Sequence, residues 1–200
     1  FLLLASEMGA SVIIVDDRPS ALEKAEAALD SAQQEGYIKG LKPEFRLLGS
    51  LNAVTELGRQ YDLILTSETL QRMTTANQKK FVSQLLLSAP KVAIFSPNKD
   101  NPDHTNQSGL SGLSLQDIEL LLSSSMDSSP AVKTGFSVRT GYIDMPPFPP
   151  GITRTAAQRE QATSGKAEAF AMWVLAQAAC QSPGQLCSAC MVPAIVTNSG

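Results

Sequence analysis

Cysteine and histidine are scarce in this sequence, which limits the cross-links and metal sites that it can form. Its 200 residues include three cysteines and one histidine. Cys180, Cys187 and Cys190 all follow residue 179, so no disulfide framework can hold the rest of the chain together. This usage favours a reducing compartment, and we expect a cytoplasmic protein. Cys187 and Cys190 have the spacing of a metal-binding pair, but a structural zinc site needs four ligands, and we expect no metal.

Excess positive charge and long hydrophobic runs are also missing. Sixteen Lys and Arg residues against nineteen Asp and Glu residues leave a formal net charge of −3. A nucleic-acid-binding domain normally has a basic excess, so we expect no nucleic-acid partner. No stretch approaches the roughly 18 consecutive apolar residues that cross a bilayer, and we expect no membrane partner. The hydrophobic fraction of 43% nevertheless predicts a folded core.

Short apolar runs alternate with amphipathic segments along most of the chain. Strands are predicted at residues 11–15, 45–48, 61–66, 91–96, 136–143 and 191–197, and helices at residues 19–29, 52–58, 77–88, 114–122 and 155–179. The β-branched runs at 11–15 and 61–66 suit strands that are covered on both faces, as in a parallel sheet. This alternation predicts an α/β fold. We expect residues 1–200 to form a single domain, with residues 145–200 as a peripheral C-terminal part.

Polar side chains follow the predicted strands at the end where parallel sheets bind ligands. The carboxyl ends of parallel strands meet at one edge of a sheet. The polar residues at these ends are Asp16, Asp17, Ser50, Ser67 and Glu68. The Asp16 carboxylate could accept hydrogen bonds from both hydroxyls of a ribose, or it could simply stabilise the start of the next helix.

Three segments, taken in order, resemble one enzyme family. Residues 12–25, 61–70 and 91–98 are similar to the second, fourth and fifth strand regions of class I S-adenosylmethionine (SAM)-dependent methyltransferases. The resemblance implies a Rossmann-like three-layer α/β sandwich with a mostly parallel sheet and an antiparallel C-terminal strand. Residues 136–144 and 191–197 would form the antiparallel pair that closes the sheet. It also implies SAM as the cofactor and methyl transfer to an acceptor, for which a small molecule is the default.

The same resemblance implies roles for individual residues. Asp16 matches the acid that binds the cofactor ribose, and Asp17 is its less favoured neighbour. Ser50 stands where the family often has an acid that reaches the adenine. Ser67 and Glu68 match the turn beside the methyl group, where Glu68 could orient an acceptor amine or hydroxyl. Alternatively, Glu68 is a first-turn helix acid with Ser67 as the cap.

His104 lies in a long polar segment, residues 97–113, that follows a predicted strand. A histidine there could serve as a general base near neutral pH. The alternative, which is the more common case for a single loop histidine, is an ordinary solvated residue. Asn98, in the same segment, is interpreted as a turn residue in preference to a substrate ligand.

One part of the family pattern has no counterpart in the sequence. The first strand and its glycine-rich turn, which bind the methionine part of the cofactor, are expected upstream of Phe1. We therefore expect residues 1–200 by themselves to bind SAM weakly or not at all. Two other functions stay open: an NAD(P)-binding Rossmann oxidoreductase, in which Asp16 would have the same ribose role, and a non-catalytic fragment or degenerate homologue that acts in binding. The turn at residues 67–70 and the antiparallel end of the sheet favour the methyltransferase.

Overall fold

The computed structural model describes residues 5, 8–37, 40, 42–57, 61–101, 112–127, 135–143 and 171–178. The chain divides into two compact units, Phe1–Gly58 and Arg59–Gly200. Within the ranges described, none of the helices has the length and hydrophobicity required to cross a membrane.

The first unit contains a two-stranded parallel sheet. Its elements, in chain order, are β1 (Ile13–Asp16), α1 (Pro19–Gln34), β2 (Glu44–Leu47) and α2 (Ser50–Leu57). Ile13 lies opposite Glu44 and Asp16 opposite Leu47. Helix α1 provides the crossover that a parallel pair requires, and it begins with Pro19, whose missing N–H costs nothing there. Both strands therefore end at the same edge of this sheet.

The second unit contains a mixed sheet of four strands. Its elements are β3 (Ile64–Ser67), a 3₁₀ helix (Leu70–Arg72), α3 (Thr75–Ser88), β4 (Lys91–Pro97), α4 (Leu115–Asp127), β5 (Phe136–Ile143) and β6 (Ala171–Ala178). The strand order is β3-β4-β6-β5. β3 and β4 are parallel, whereas β6 is antiparallel to both β4 and β5. The predicted α/β fold, with parallel pairs and an antiparallel C-terminal strand, is confirmed.

The core of the second unit combines one face of this sheet with two helices. Along β4, Val92 and Ile94 are buried, whereas their neighbours Ala93 and Phe95 are half-buried, as the two-residue repeat of a strand requires. Helix α3 contacts both β4 and α4. The helices contribute buried apolar side chains, namely Phe81, Val82, Leu85, Leu86, Ile118 and Leu122.

Strand β6 contradicts one prediction. The sequence predicts a helix over residues 155–179, but Ala171–Ala178 is a strand. Alanine and leucine favour helices, yet this preference is weak and tertiary contacts override it. β6 hydrogen-bonds to a neighbour on each side, and every one of its side chains is buried or half-buried. The partner of β5 is thus β6, and residues 191–197, which were expected there, lie outside the described residues.

Gly141 of β5 is required by the tryptophan opposite it. The two residues face each other across the β5–β6 pair. A Cβ atom at residue 141 would lie 2.7 Å from Nε1 and 2.9 Å from Cε2 of Trp173. The indole ring therefore occupies the space that a side chain would need.

We expect Gly141→Ala to lower the free energy of unfolding by about 1–3 kcal/mol, because the inserted methyl group overpacks this contact. Urea denaturation followed by circular dichroism measures the change. In a Trp173→Phe background the smaller ring leaves room, so the same substitution should cost less. An equal cost in both backgrounds would show that the indole contact is not the cause.

Helix α4 begins with a reciprocal cap formed by Ser114 and Asp117. The backbone N–H of Asp117 donates to Ser114 Oγ at 3.1 Å, and the backbone N–H of Ser114 donates to Asp117 Oδ2 at 2.9 Å. Lys99 Nζ lies 3.6 Å from the same carboxylate oxygen. The backbone hydrogen bond from Ser114, followed by the smaller effects of its side chain and of Lys99, lowers the pKa of Asp117.

This cap predicts a pH effect with a definite sign. Because the pKa of Asp117 is lower in the folded chain, its stabilising contribution is complete above the pKa of the unfolded state and is lost as pH falls through the folded value. We expect Ser114→Ala to raise the pKa of Asp117 and to cost about 0.5–2 kcal/mol of stability. NMR titration of the side-chain carboxyl carbon measures the first effect and urea unfolding the second.

The matched control is Ser123→Ala on the same helix, where the hydroxyl only donates to the Glu119 carbonyl at 2.9 Å. Ser123→Ala should leave the pKa of Asp117 unchanged. A Ser114 variant with the same Asp117 titration as the wild type would contradict the role assigned to the cap.

Candidate functional site

Asp16 ends β1, and Arg18 binds both oxygens of its carboxylate. Asp16 Oδ1 accepts hydrogen bonds from the backbone N–H and from Nε of Arg18, both at 2.9 Å. Asp16 Oδ2 accepts from Nη2 of the same arginine, also at 2.9 Å. The Asp16 side chain is 26% exposed and the Arg18 side chain 59%. The predicted ribose acid is thus accessible and already oriented to receive donors on both oxygens.

The other predicted residues of the first unit lie near the same edge of its sheet. Asp17 is exposed at the start of the connection to α1. Ser50 is the first residue of α2, directly after β2. Because β1 and β2 are parallel, Asp16 and the start of α2 are at the same edge. The first unit therefore has Asp16, Asp17 and the backbone of Ser50 at one edge of its sheet.

Glu68 follows β3 in a backbone conformation that is uncommon for residues other than glycine. Its φ angle is +53°, in the left-handed region. Three hydrogen bonds hold the turn: Glu68 N donates to the Phe95 carbonyl at 3.1 Å, Thr69 Oγ1 to the Ser67 carbonyl at 3.1 Å, and Arg72 Nε to the Glu68 carbonyl at 3.3 Å. The side chains of Ser67 and Glu68 are exposed. Strained residues of this kind cluster at functional sites.

The alternative interpretation of Glu68 as a capped helix acid is wrong. The 3₁₀ helix after it begins at Leu70, its N-cap is Thr69, and no side chain makes a capping bond there. Helix α3 has its own cap, Thr74, whose side chain accepts from Asn77 N. Glu68 consequently lies before both helices, in a turn at the carboxyl end of β3.

Asn98 closes the base of the long polar segment that follows β4. Its side chain is fully buried, and Oδ1 accepts from Asp100 N at 3.1 Å, which confirms its interpretation as a turn residue. Asn98 also forms a β-bridge with Leu113, and Lys99 N donates to the Leu113 carbonyl at 3.1 Å. A Cβ atom on Gly112 would lie 2.8 Å from the Pro97 carbonyl oxygen. The two ends of the segment are therefore fixed to each other.

His104, the predicted general base, lies outside the described residues, as do the three cysteines. Within the part of the chain that is described, no group of three or more His, Cys, Asp and Glu side chains could hold a metal ion.

Tyr142 is a candidate that the sequence analysis missed. It lies at the end of β5, opposite Met172, which is itself opposite Ser96 of β4. Its hydroxyl is buried and has no hydrogen-bond partner among the described residues. Burial, and then the negative charges of Asp100 and Glu119, raise the pKa of this phenol. The alternation of β5 already places Tyr142 on the same face as Thr140, and this signal could have identified it.

The second unit thus collects its own set of polar groups at one edge of its sheet. Strands β3, β4 and β5 run in the same direction, because β6 is antiparallel to both β4 and β5 and β3 is parallel to β4. Their carboxyl ends carry the Ser67–Glu68 turn, Asn98 and Tyr142. Asp16, Asp17 and Ser50 belong to the first unit.

The left-handed conformation of Glu68 can be tested with two substitutions that remove the same carboxylate. A residue with a Cβ atom costs roughly 1–2 kcal/mol in this region, and glycine avoids that cost. We therefore expect Glu68→Gly to be about 1 kcal/mol more stable than Glu68→Ala in urea unfolding.

Glu23, exposed inside α1, provides the control with the opposite sign. There Glu23→Gly should be about 1 kcal/mol less stable than Glu23→Ala, because glycine is unfavourable within a helix. The same order of stability at both positions would mean that residue 68 is not held in the left-handed region.

Comparison with known proteins gives matches at the level of structure. No protein-family model and no curated protein matches the sequence. The structure is similar to magnesium protoporphyrin IX methyltransferase from Synechocystis PCC 6803 with bound SAH, with a TM-score of 0.56 and 18% identity, over 88% of this chain and 68% of that one. A SAM-dependent methyltransferase from Archaeoglobus fulgidus gives a TM-score of 0.59 and 12% identity, over 88% of this chain and 80% of that one.

This chain has the fold of SAM-dependent methyltransferases. The small RNA methyltransferase HEN1 also shares it, with a TM-score of 0.58 and 13% identity, over 84% of this chain and 20% of that one. The SAM-bound form of the Synechocystis enzyme is matched over 64% of its length, slightly less than two thirds. The predicted resemblance is confirmed at the level of the fold, and function has to be argued from the site.

Proposed function

We propose that this chain is a large part of a SAM-dependent methyltransferase domain that acts on a small molecule in the cytoplasm. The observation that carries the proposal is the position of β6. It runs antiparallel between β4 and β5, in a sheet whose one other pair, β3 with β4, is parallel. The sheet of dinucleotide-binding Rossmann domains is mostly parallel. An antiparallel strand inserted between two parallel strands therefore disfavours a nicotinamide-dependent oxidoreductase.

The residues of the first unit fit the nucleoside part of SAM. The Asp16 carboxylate lies at a strand end, is partly exposed and already accepts hydrogen bonds on both oxygens. A ribose offers two neighbouring hydroxyl donors to such a carboxylate. Asp17 is the next residue in the chain after Asp16. Ser50, the first residue of α2, would lie near the adenine of the bound cofactor. These chemical features support the assignment of SAM as the cofactor.

The second unit supplies groups for the acceptor. Bound SAM would supply a methyl group on an already activated sulfonium, so the chain mainly has to align the acceptor and, where needed, remove its proton. The exposed Glu68 carboxylate can orient an acceptor hydroxyl or amine and take that proton. Ser67 contributes a hydroxyl to the same turn, and His104 is a second proposed base.

Charge favours a small acceptor over a nucleic acid. HEN1, one of the structural neighbours, is by its name a small RNA methyltransferase. This chain has 16 basic and 19 acidic residues, which leaves no excess for phosphate contacts. The negative charges of Asp100 and Glu119, which raise the pKa of Tyr142, make the surroundings of this strand end more acidic.

The glycine-rich turn that the family uses for the methionine part of the cofactor has no counterpart in residues 1–200. We propose that both units belong to one domain. Assays of function should therefore use the longest natural form of the protein, meaning residues 1–200 with any sequence that precedes Phe1.

Cofactor choice is the direct test of the function. Calorimetric titration should show binding of SAM and SAH and no binding of NADH or NADPH. Preference for a nicotinamide nucleotide would establish the oxidoreductase instead, and binding of neither class would favour the non-catalytic alternative.

The ribose role of Asp16 is tested by substitution. We expect Asp16→Ala to weaken SAM binding by about 1–3 kcal/mol, because it removes hydrogen bonds to a charged group. Asp17→Ala, which removes the same charge one residue away, should change the affinity much less. Unchanged affinity in the Asp16 variant would remove this residue from the site, whereas equal losses in both variants would indicate a general charge effect.

A further inference from the structure

Helix stability does not explain why an arginine stands at the start of α1. Arg18 is the N-cap residue, yet its side chain makes no capping hydrogen bond. The N-terminus of a helix carries partial positive charge, so a cation there is unfavourable. The first turn of α1 has no acidic residue that would compensate. The contact of Arg18 with Asp16 suggests a role outside the helix.

That contact uses most of the hydrogen-bonding capacity of the carboxylate. A carboxylate offers about four lone-pair positions, two on each oxygen. Arg18 fills two on Oδ1, with its backbone N–H and Nε, and one on Oδ2, with Nη2, each at 2.9 Å. A ribose that donates one hydroxyl to each oxygen competes for these positions. The guanidinium has to leave, whereas the backbone N–H can keep its bond.

We propose that Arg18 is a positioning residue that competes with the cofactor ribose for Asp16. The inference rests on the proposed ribose-binding role of Asp16. Before the cofactor binds, the guanidinium covers both carboxylate oxygens and fixes their direction. When the ribose binds, the guanidinium moves into solvent, which its 59% exposure allows, and the backbone N–H of Arg18 continues to hold Oδ1.

The strength of the competition follows from the exposure of the pair. Exposed ion pairs are weak, so Arg18 lowers the affinity without preventing binding. Removing the guanidinium should tighten SAM binding by about two- to five-fold. A SAM analogue without the two ribose hydroxyls cannot displace the guanidinium in this way, so its affinity should not respond to Arg18.

The experiment is a double-mutant cycle measured by calorimetry with SAM on the longest natural form of the protein. The variants are Arg18→Ala, Asp16→Asn and the two combined, with Arg18→Lys as the conservative replacement. Lysine keeps the charge but lacks the planar guanidinium that binds two oxygens at once. The SAM affinity of Arg18→Lys should therefore lie between those of the wild type and Arg18→Ala. Circular dichroism checks that each variant is folded.

The matched control removes another exposed cation of the first unit. Lys42 Nζ lies 3.0 Å from Glu26 Oε1 and 3.0 Å from Asp30 Oδ1, and its side chain is 45% exposed. Lys42→Ala changes the net charge as Arg18→Ala does, but it leaves Asp16 untouched. It should leave SAM affinity unchanged.

Each outcome decides a specific point. Tighter binding in Arg18→Ala that disappears in the Asp16→Asn background supports the competition. Weaker binding in Asp16→Asn with no gain in Arg18→Ala overturns the role of Arg18 and leaves the proposed function intact. A similar gain in Lys42→Ala also overturns it, because net charge alone would explain the effect. No SAM binding by the wild type, or no effect of Asp16→Asn, rejects the ribose site and with it the competition.

Discussion

The second unit depends on β6 being hydrogen-bonded on both sides. Its pairing with β4 extends from Lys91 opposite Gln177 to Pro97 opposite Ala171, and its pairing with β5 covers all eight residues of that strand. Without β6, β4 and β5 would each lose a partner. Because β6 is antiparallel to both, β5 runs in the same direction as β4. The carboxyl end of β5, with Tyr142, therefore lies at the same edge as the carboxyl ends of β3 and β4.

The parts of the fold that could be predicted are those in which local chemistry and tertiary contacts agree. The β-branched segment that ends at Asp16 is a strand, Pro19 begins a helix, and the helix predicted from residue 114 is capped by Ser114 with Asp117. In each case the neighbours along the chain are sufficient to determine the conformation. Residues 171–178 show the opposite case. Their local preference is helical, and the gap between two other strands decides their structure.

The candidate site shows the same division. The candidates Asp16, Asp17, Ser50, Ser67 and Glu68 could be proposed from the sequence because the carboxyl ends of parallel strands meet at one edge of a sheet, and within each unit the structure places them at or after the end of a strand. The left-handed turn at Glu68 could not, since glutamate has no preference for that region and the turn is held by the carbonyl of Phe95, a residue of another strand. The ion pair of Arg18 with Asp16 could not be predicted from the sequence, because it depends on the positions of the two side chains. The spacing of two charged residues in the sequence does not show how many hydrogen bonds the arginine donates to the carboxylate.

The bridge between Asn98 and Leu113 has a consequence for how this protein can change. Because the ends of the intervening segment are fixed to each other, a change in its length need not move β4 or the start of α4. Doubling the length of a flexible loop costs only about 0.6 kcal/mol of closure entropy. Insertions and deletions between these two anchors can therefore accumulate at little cost in stability. Related chains can therefore differ in length between these two residues while the strands and the helix on either side keep their positions.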